Sequence, residues 1–220
     1  ALGVIPAVLW GEAALPPEIA LVPPAATMFT SMFLHGSWLH LAGNMLFLWV
    51  FGDNVEDRLG KLRFLLFYLA CGVAAALLQA GVDPQSPIPM IGASGAISGV
   101  LGAYLLLYPR ANVLVLIPLG WFTQLRPLPA VFVLGFYFVL QLISAVLDTG
   151  EGGGVAWFAH IGGFVAGMVL LPLMKRADVP LFSQRRQPPR PAVRLRRRRL
   201  RPWEQKPEQP PENRRRGPWD

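Results

Sequence analysis

The stretch that decides the fold is Ile91-Gly92-Ala93-Ser94-Gly95-Ala96-Ile97-Ser98-Gly99-Val100-Leu101-Gly102-Ala103-Tyr104. It follows a proline-containing loop and opens an apolar run, so Ser94 is expected in the first turn of a helix. Backbone N–H groups there lack partners within the helix and the helix dipole is positive, which suits a nucleophile whose reaction creates an oxyanion. A second interpretation is structural, because Ser94, Ser98 and Gly102 recur every four residues, as small residues do where membrane helices pack closely. This stretch alone favours packing; the rest of the chain favours catalysis.

Composition indicates a membrane protein. Of the 220 residues, 53% are hydrophobic and only 15% are charged, a balance that fits a membrane protein better than a soluble globule. The 20 lysines and arginines are segregated, since 15 of them follow residue 174. The other five are Arg58, Lys61, Arg63, Arg110 and Arg126. The single cysteine, Cys71, cannot form an internal disulfide and is interpreted as a small core residue.

Five apolar runs are predicted to be membrane-spanning helices of an all-α polytopic bundle. The fourth, 129–147, has about 19 residues and a length of roughly 28 Å, close to the hydrocarbon thickness of a bilayer. The other four are 38–51, 64–81, 94–108 and 155–174. The intervening stretch 111–128 contains prolines and is predicted to be less regular and to lie partly in the membrane interface.

The chain therefore divides into three parts. Residues 1–30 are interrupted by prolines and are predicted to be an external or interfacial segment, and residues 31–174 form the membrane core. Residues 175–220 are rich in Arg and Pro and are predicted to be a disordered cytoplasmic tail that sets topology and attracts anionic lipid. Binding of nucleic acid by this tail is not expected beside a membrane core.

The basic residues also predict the orientation. All of them fall in two loops and the tail, which alternate with loops 81–93 and 148–155, where there are none. The cation-bearing side is therefore expected to be cytoplasmic. On this topology His40, Asn44, Ser94 and His160 come from three helices and reach one level near the outer surface. Intramembrane polar residues that share a level indicate a functional site.

A serine hydroxyl is a weak nucleophile and needs a base, for which His160 is the candidate. Gly163 and Gly167 follow His160 at i+3 and i+7, on the same helix face. That glycine face predicts close packing against the small-residue face of the Ser94 helix, which would bring His160 to Ser94. The alternative is a histidine that is hydrogen-bonded across helices for structure only.

His40 and Asn44 are separated by four residues and share a helix face. Both offer N–H donors, which together with the Ser94 backbone N–H would stabilise a tetrahedral oxyanion. No acidic residue is placed to orient His160. The sequence therefore predicts a Ser–His dyad and not a triad, with no metal or cofactor.

Four motifs carry a resemblance to a known family. They are His35-Gly36-Ser37-Trp38-Leu39-His40-Leu41-Ala42-Gly43-Asn44, Gly52-Asp53-Asn54-Val55-Glu56-Asp57-Arg58-Leu59-Gly60, Gly92-Ala93-Ser94-Gly95 and Ala159-His160-Ile161-Gly162-Gly163. Together, over residues 28–174, they resemble the rhomboid family of intramembrane serine proteases. Four motifs in this order are highly specific.

The resemblance implies a six-helix core, with Ser94 as nucleophile, His160 as base, and an oxyanion pocket formed by His40, Asn44 and the Ser94 amide. It implies cleavage of transmembrane segments of other proteins near their outer ends. It also implies that Glu56 matches a carboxylate that ties the inner loop together, which is a structural role.

Three departures from the family pattern stand out. Residues 1–30 look like the long external loop, so the family's first helix is expected to be missing from this chain. The Trp-Arg pair of that loop is absent, because no arginine precedes Arg58. Ser98 stands where some relatives have a tyrosine beneath the histidine, so His160 is expected to be positioned by packing or by an aromatic residue such as Trp157.

Two other functions compete with the protease. A catalytically silent rhomboid-like protein would bind transmembrane clients, but such relatives usually lack the serine or the histidine, and this chain has both. A transporter or channel would distribute polar residues through the membrane depth, whereas here they cluster at one level. The expected location, by analogy with the family, is a bacterial plasma membrane.

Overall fold

The computed structural model describes residues 1–119, 122–148 and 155–183. Most of these residues are helical. The elements in chain order are α1 (Pro6–Leu9), α2 (Thr27–Thr30), α3 (Trp38–Phe47), α4 (Asp53–Leu59), α5 (Lys61–Val82), α6 (Ser94–Leu107), β1 (Asn112–Leu119), β2 (Phe122–Pro129), α7 (Ala130–Leu147) and α8 (Trp157–Met174). Short 3₁₀ turns flank α2, and a π-helical turn, Leu48–Gly52, joins α3 to α4. Of the tail 175–220 that is predicted to be disordered, residues 175–183 have a defined conformation, and residues 184–220 lie outside the described residues.

Within the described residues, three helices, α5, α7 and α8, are long and apolar enough to cross a membrane. They correspond to the predicted runs 64–81, 129–147 and 155–174, which confirms a helical membrane bundle. The first predicted run, 38–51, forms α3 and the π-helical turn. The third, 94–108, forms α6, which has only 14 residues and a length of about 21 Å.

The short helix α6 lies at the centre of the bundle. Its residues 95–104 are all buried, because α5 and α8 pack against it through small side chains. A Cβ added to Gly163 would overlap the carbonyl oxygen of Gly95, and one added to Gly167 would overlap that of Gly99. Only glycine at these positions of α8 lets the two backbones approach so closely. Cys71 of α5 is fully buried against Gly99, in line with a core role.

The stretch 111–128 is more regular than predicted, since it forms an antiparallel β-hairpin. Its register pairs Leu116 with Leu125. Alternating β-branched residues such as Val113, Val115 and Ile117 favour a strand over an irregular loop. Both paired leucines are exposed, with 63% and 59% of their surface accessible, so the hairpin presents an apolar face away from the protein.

The amino-terminal segment packs over the end of the bundle where Ser94 lies. Val4 pairs with Met90 in an isolated β-bridge, and the Trp10 indole N–H donates to the Ala80 carbonyl at 2.7 Å. The beginning of the predicted tail is also packed, against the opposite end. Val179 is buried there, and the Ser183 hydroxyl donates to a carbonyl at the end of α6.

Candidate active site

Ser94 is the first residue of α6, and the backbone before it is shaped by a glycine. Gly92 has a φ of +125°, which L side chains rarely adopt, and its N–H donates to the Ser31 carbonyl at 2.9 Å. A Cβ on Gly92 would lie within 3 Å of the His40 ring. Gly92 therefore lets the His40 ring, the turn and the Ser94 hydroxyl share a small space.

His160 lies in the first turn of α8 and faces Ser94. Its Nε2 is 2.8 Å from the Ser94 Oγ, within hydrogen-bond distance. The start of α8 is held by α5, because the Gln79 side-chain oxygen accepts a hydrogen bond from the Ala159 N–H at 3.1 Å. The same N–H also bonds the Ala156 carbonyl at 3.1 Å, so the glutamine adds an acceptor from α5 at the beginning of α8. The structure thus brings together the serine and the histidine singled out from the sequence.

A glutamine that sequence analysis did not single out contacts the other side of the histidine. Gln141 of α7 places its Oε1 2.9 Å from the His160 Nδ1, and only 7% of its surface is exposed. The available signal was an amide side chain inside an otherwise apolar span, which is costly unless it has a partner. Packing or contact with an aromatic residue such as Trp157 was the expected means of orienting His160. The Trp157 ring does meet the histidine edge-on, at 6.3 Å between centroids.

Ser98 has its own partner. Its hydroxyl lies 2.7 Å from the Tyr137 hydroxyl of α7, and its side chain is fully buried. Ser98 therefore ties α6 to α7 one turn below Ser94. It does not contact the histidine through any hydrogen bond in the described part of the chain.

His40 and Asn44 lie on α3, one helical turn apart. The helix is capped by Ser37, whose Oγ accepts a hydrogen bond from the His40 backbone N–H at 3.1 Å. Asn44 is buried, and its Nδ2 has no hydrogen-bond partner in the described residues. A buried amide nitrogen without an acceptor is costly in the resting protein, and it is available to an oxygen atom that arrives with a ligand.

A cavity of about 740 Å³ opens beside the serine and the histidine. His40, Ser94 and His160 line it together, and Asp83 and Asp148 add carboxylates to its wall. Cavities of this size hold peptide-like or drug-sized groups. The polar side chains predicted to share one level thus border a common space, with Asn44 one helical turn further along α3.

The opposite end of the bundle is held together by arginines. The Arg58 side chain donates to the Tyr108 hydroxyl and lies over its ring, and Arg176 donates to the Asp57 carbonyl at 3.1 Å. Glu56, the residue expected to tie this loop together, lines a separate cavity. Its carboxylate has no hydrogen bond or ion pair within the described residues. Its structural role stays a prediction.

In the described ranges, no group of three or more His, Cys, Asp or Glu side chains could hold a metal ion. The expectation that the reaction needs no metal or cofactor stays a prediction.

The fold and this site together define an integral membrane protein whose polar side chains meet in a cavity at one end of a helical bundle. The chain belongs to the rhomboid family, because the family model described as the Rhomboid domain matches residues 24–177.

Curated relatives agree with this family. The chain is 37% identical over 143 residues to rhomboid protease GluP of Bacillus subtilis, a match covering 65% of this chain and 25% of the relative. It is 30% identical over 167 residues to RHOMBOID-like protein 1 of Arabidopsis thaliana, covering 73% and 38%. Rhomboid-like protein 11, chloroplastic, of the same plant is 29% identical over 157 residues, covering 67% and 51%. The chain thus spans about half or less of the length of these relatives.

Proposed function

We propose that this protein is an intramembrane serine endopeptidase that cleaves transmembrane segments of other membrane proteins. The observation that carries the proposal is the 2.8 Å contact between the Ser94 Oγ and the His160 Nε2 at the wall of a cavity. A nucleophile and a base within hydrogen-bond reach are the signature of covalent catalysis. Kinship to a relative named as a protease adds support.

The reaction runs through an acyl-enzyme. The Ser94 Oγ attacks the carbonyl carbon of the scissile peptide bond, and His160 Nε2 takes the hydroxyl proton. The tetrahedral intermediate collapses when His160 gives that proton to the leaving amine, and the Ser94 ester remains. Water then enters the cavity, and its oxygen attacks the ester carbonyl carbon while His160 Nε2 takes its proton. His160 returns that proton to the Ser94 Oγ as the ester bond breaks, which releases the carboxylic acid product and restores the serine.

The oxyanion of each tetrahedral intermediate would be bound on the α3 side of Ser94. His40 and Asn44 supply side-chain donors, and the first turn of α6 supplies backbone N–H groups and the positive end of its dipole. The buried, unpartnered Asn44 Nδ2 supports this role, because a donor fixed in advance costs no reorganisation when charge develops.

The segregated cations support an orientation in which the Ser94 end of the bundle is external and the tail is cytoplasmic. Cleavage would then occur near the outer end of a substrate's transmembrane segment. A bacterial plasma membrane is the proposed location.

A covalent probe tests the assignment of nucleophile and base. A fluorophosphonate should label the full-length protein at Ser94, since the activated oxygen displaces fluoride from phosphorus. His160→Ala should abolish labelling, whereas Ser98→Ala should retain it, because Ser98 bonds Tyr137 and not the histidine. Labelling is measured by in-gel fluorescence and located by mass spectrometry. A folded protein that is never labelled would favour a silent binder of transmembrane clients over a protease.

Asn44→Ala is expected to lower kcat by about 100- to 1,000-fold, the usual loss for one oxyanion donor. The variant removes a side-chain nitrogen that has no hydrogen-bond partner among the described residues of the resting protein. Asn54→Ala in α4 is the matched control, because that side-chain amide donates to the Val50 carbonyl of the preceding turn at 3.2 Å and lies outside the candidate site. Steady-state cleavage of a fluorogenic transmembrane substrate measures both. Equal rates for the two variants would exclude Asn44 from the oxyanion pocket.

A further inference from the structure

His160 has a hydrogen-bond partner on each ring nitrogen, and the partners come from different helices. Ser94 of α6 lies at Nε2, and Gln141 of α7 lies at Nδ1, at 2.8 and 2.9 Å. A neutral imidazole carries one N–H, so one nitrogen donates and the other accepts. Which nitrogen donates decides whether the histidine can act as a base toward the serine.

The atom of Gln141 that faces the histidine is the side-chain oxygen, which only accepts hydrogen bonds. The proton therefore belongs on Nδ1, and the lone pair of Nε2 points at Ser94. The serine hydroxyl can donate to that lone pair. This is the tautomer in which the histidine can take the serine proton.

The burial of Gln141 indicates that its hydrogen bond to His160 is functional. Gln141 is 7% exposed in a span whose other buried residues are Ala130, Leu134 and Ala145. An amide in such surroundings is costly unless it is hydrogen-bonded, and an apolar residue would pack there without that cost. The Tyr137 hydroxyl, one turn earlier on the same helix, is hydrogen-bonded to Ser98. The α7 side chain that is hydrogen-bonded to His160 is Gln141.

We propose that Gln141 is a positioning residue that holds His160 in the Nδ1–H tautomer, in the place that a carboxylate takes in a Ser-His-Asp triad. A neutral amide orients the ring without introducing a charge into the apolar interior. It stabilises the imidazolium less than a carboxylate would. The arrangement is thus a dyad with a neutral orienting group, and the inference rests on the proposed role of His160 as the base.

The test compares two substitutions of similar size in the full-length protein. Gln141→Met removes the acceptor and keeps the length of the side chain, whereas Gln141→Glu keeps an acceptor oxygen. The chain has only three histidines, so ¹⁵N-histidine NMR in detergent micelles can resolve each ring. The His160 signals are assigned by their loss in His160→Ala.

The wild type should show His160 as the Nδ1–H tautomer. Gln141→Met should shift it toward the Nε2–H form and lower kcat by roughly 10- to 100-fold at unchanged KM, because a ring displaced by about 1 Å loses its attack geometry. Gln141→Glu should restore the Nδ1–H form and most of kcat. Tyr137→Phe is the control for packing of α7, and it should change thermal stability but not the tautomer.

An Nε2–H tautomer in the wild type would overturn the assignment, whether or not the protein cleaves substrate. Equal tautomers and equal kcat for wild type and Gln141→Met would overturn it too, and would leave the protease proposal standing. Failure of the protease proposal alone can also be recognised. A wild type that cleaves nothing but shows the glutamine-dependent Nδ1–H form would refute the proposed function, while the Gln141 contact would be upheld.

Discussion

Replacement of Ser94 by alanine is expected to abolish cleavage of a single-span test substrate while the protein still inserts and folds. The hydroxyl is the proposed nucleophile, and its loss should lower kcat by about 10⁴-fold or more. The structural cost is small, because the Ser94 side chain makes one hydrogen bond, to His160, and one such bond contributes about 1 kcal/mol. Ser94→Ala should therefore lose cleavage activity while its thermal stability stays close to that of the wild type.

The measurement is cleavage in reconstituted membranes, followed by gel and mass spectrometry, beside thermal unfolding of the same preparation. Ser98→Ala is the matched control, since it removes a fully buried hydroxyl one turn along the same helix. That variant should lose stability and keep activity, the opposite of Ser94→Ala. Retained cleavage by a folded Ser94→Ala protein would refute the serine mechanism.

The long spans were predictable because lipid imposes a simple rule. A helix facing hydrocarbon must be apolar over about 20 residues, and the runs in α5, α7 and α8 meet that condition. The helix α6 follows a different rule. It is enclosed by other helices, so its length of 14 residues is set by its protein neighbours, and small residues decide how it packs.

The hairpin and the glutamine show where sequence reasoning fell short. Prolines in 111–128 indicated irregular structure, although the alternating Val113, Val115 and Ile117 favoured a strand. Ser94 and His160 stood out because the motifs around them were recognisable. Gln141 has no motif, and its partner lies on another helix, 19 residues away in the chain. Only the packing of α7 against α8 shows which polar group it serves.

Gly163→Ala is the second substitution expected to have a large effect, and it acts through packing. The added methyl group would overlap the carbonyl oxygen of Gly95, an atom of the α6 backbone that no side-chain rotation can move. The two helices must separate. Overpacking of this kind costs about 1–3 kcal/mol of the free energy of unfolding, which equals or exceeds the ~1 kcal/mol that alanine gains over glycine in a helix.

The chemical consequence follows from the position of that contact. Gly95 is the neighbour of Ser94, and Gly163 lies one turn from His160, so separation at this point pulls the nucleophile from the base. A misplacement of about 1 Å can lower a rate on the order of 100-fold. Gly163→Ala should therefore lose thermal stability and fluorophosphonate labelling together, whereas Ser94→Ala loses labelling alone.

Gly135→Ala provides the comparison that isolates the cause. Gly135 lies in α7, and apart from the adjoining backbone of its own helix a Cβ there would have no described atom within 4 Å, so the substitution should raise stability slightly and leave the rate unchanged. If Gly163→Ala behaved like Gly135→Ala in thermal unfolding and in labelling, close backbone contact between α6 and α8 could not be what holds the serine at the histidine. If the two variants differ as expected, the packing interpretation and the catalytic interpretation of the small residues are both correct. Close packing of these residues then sets the distance between Ser94 and His160.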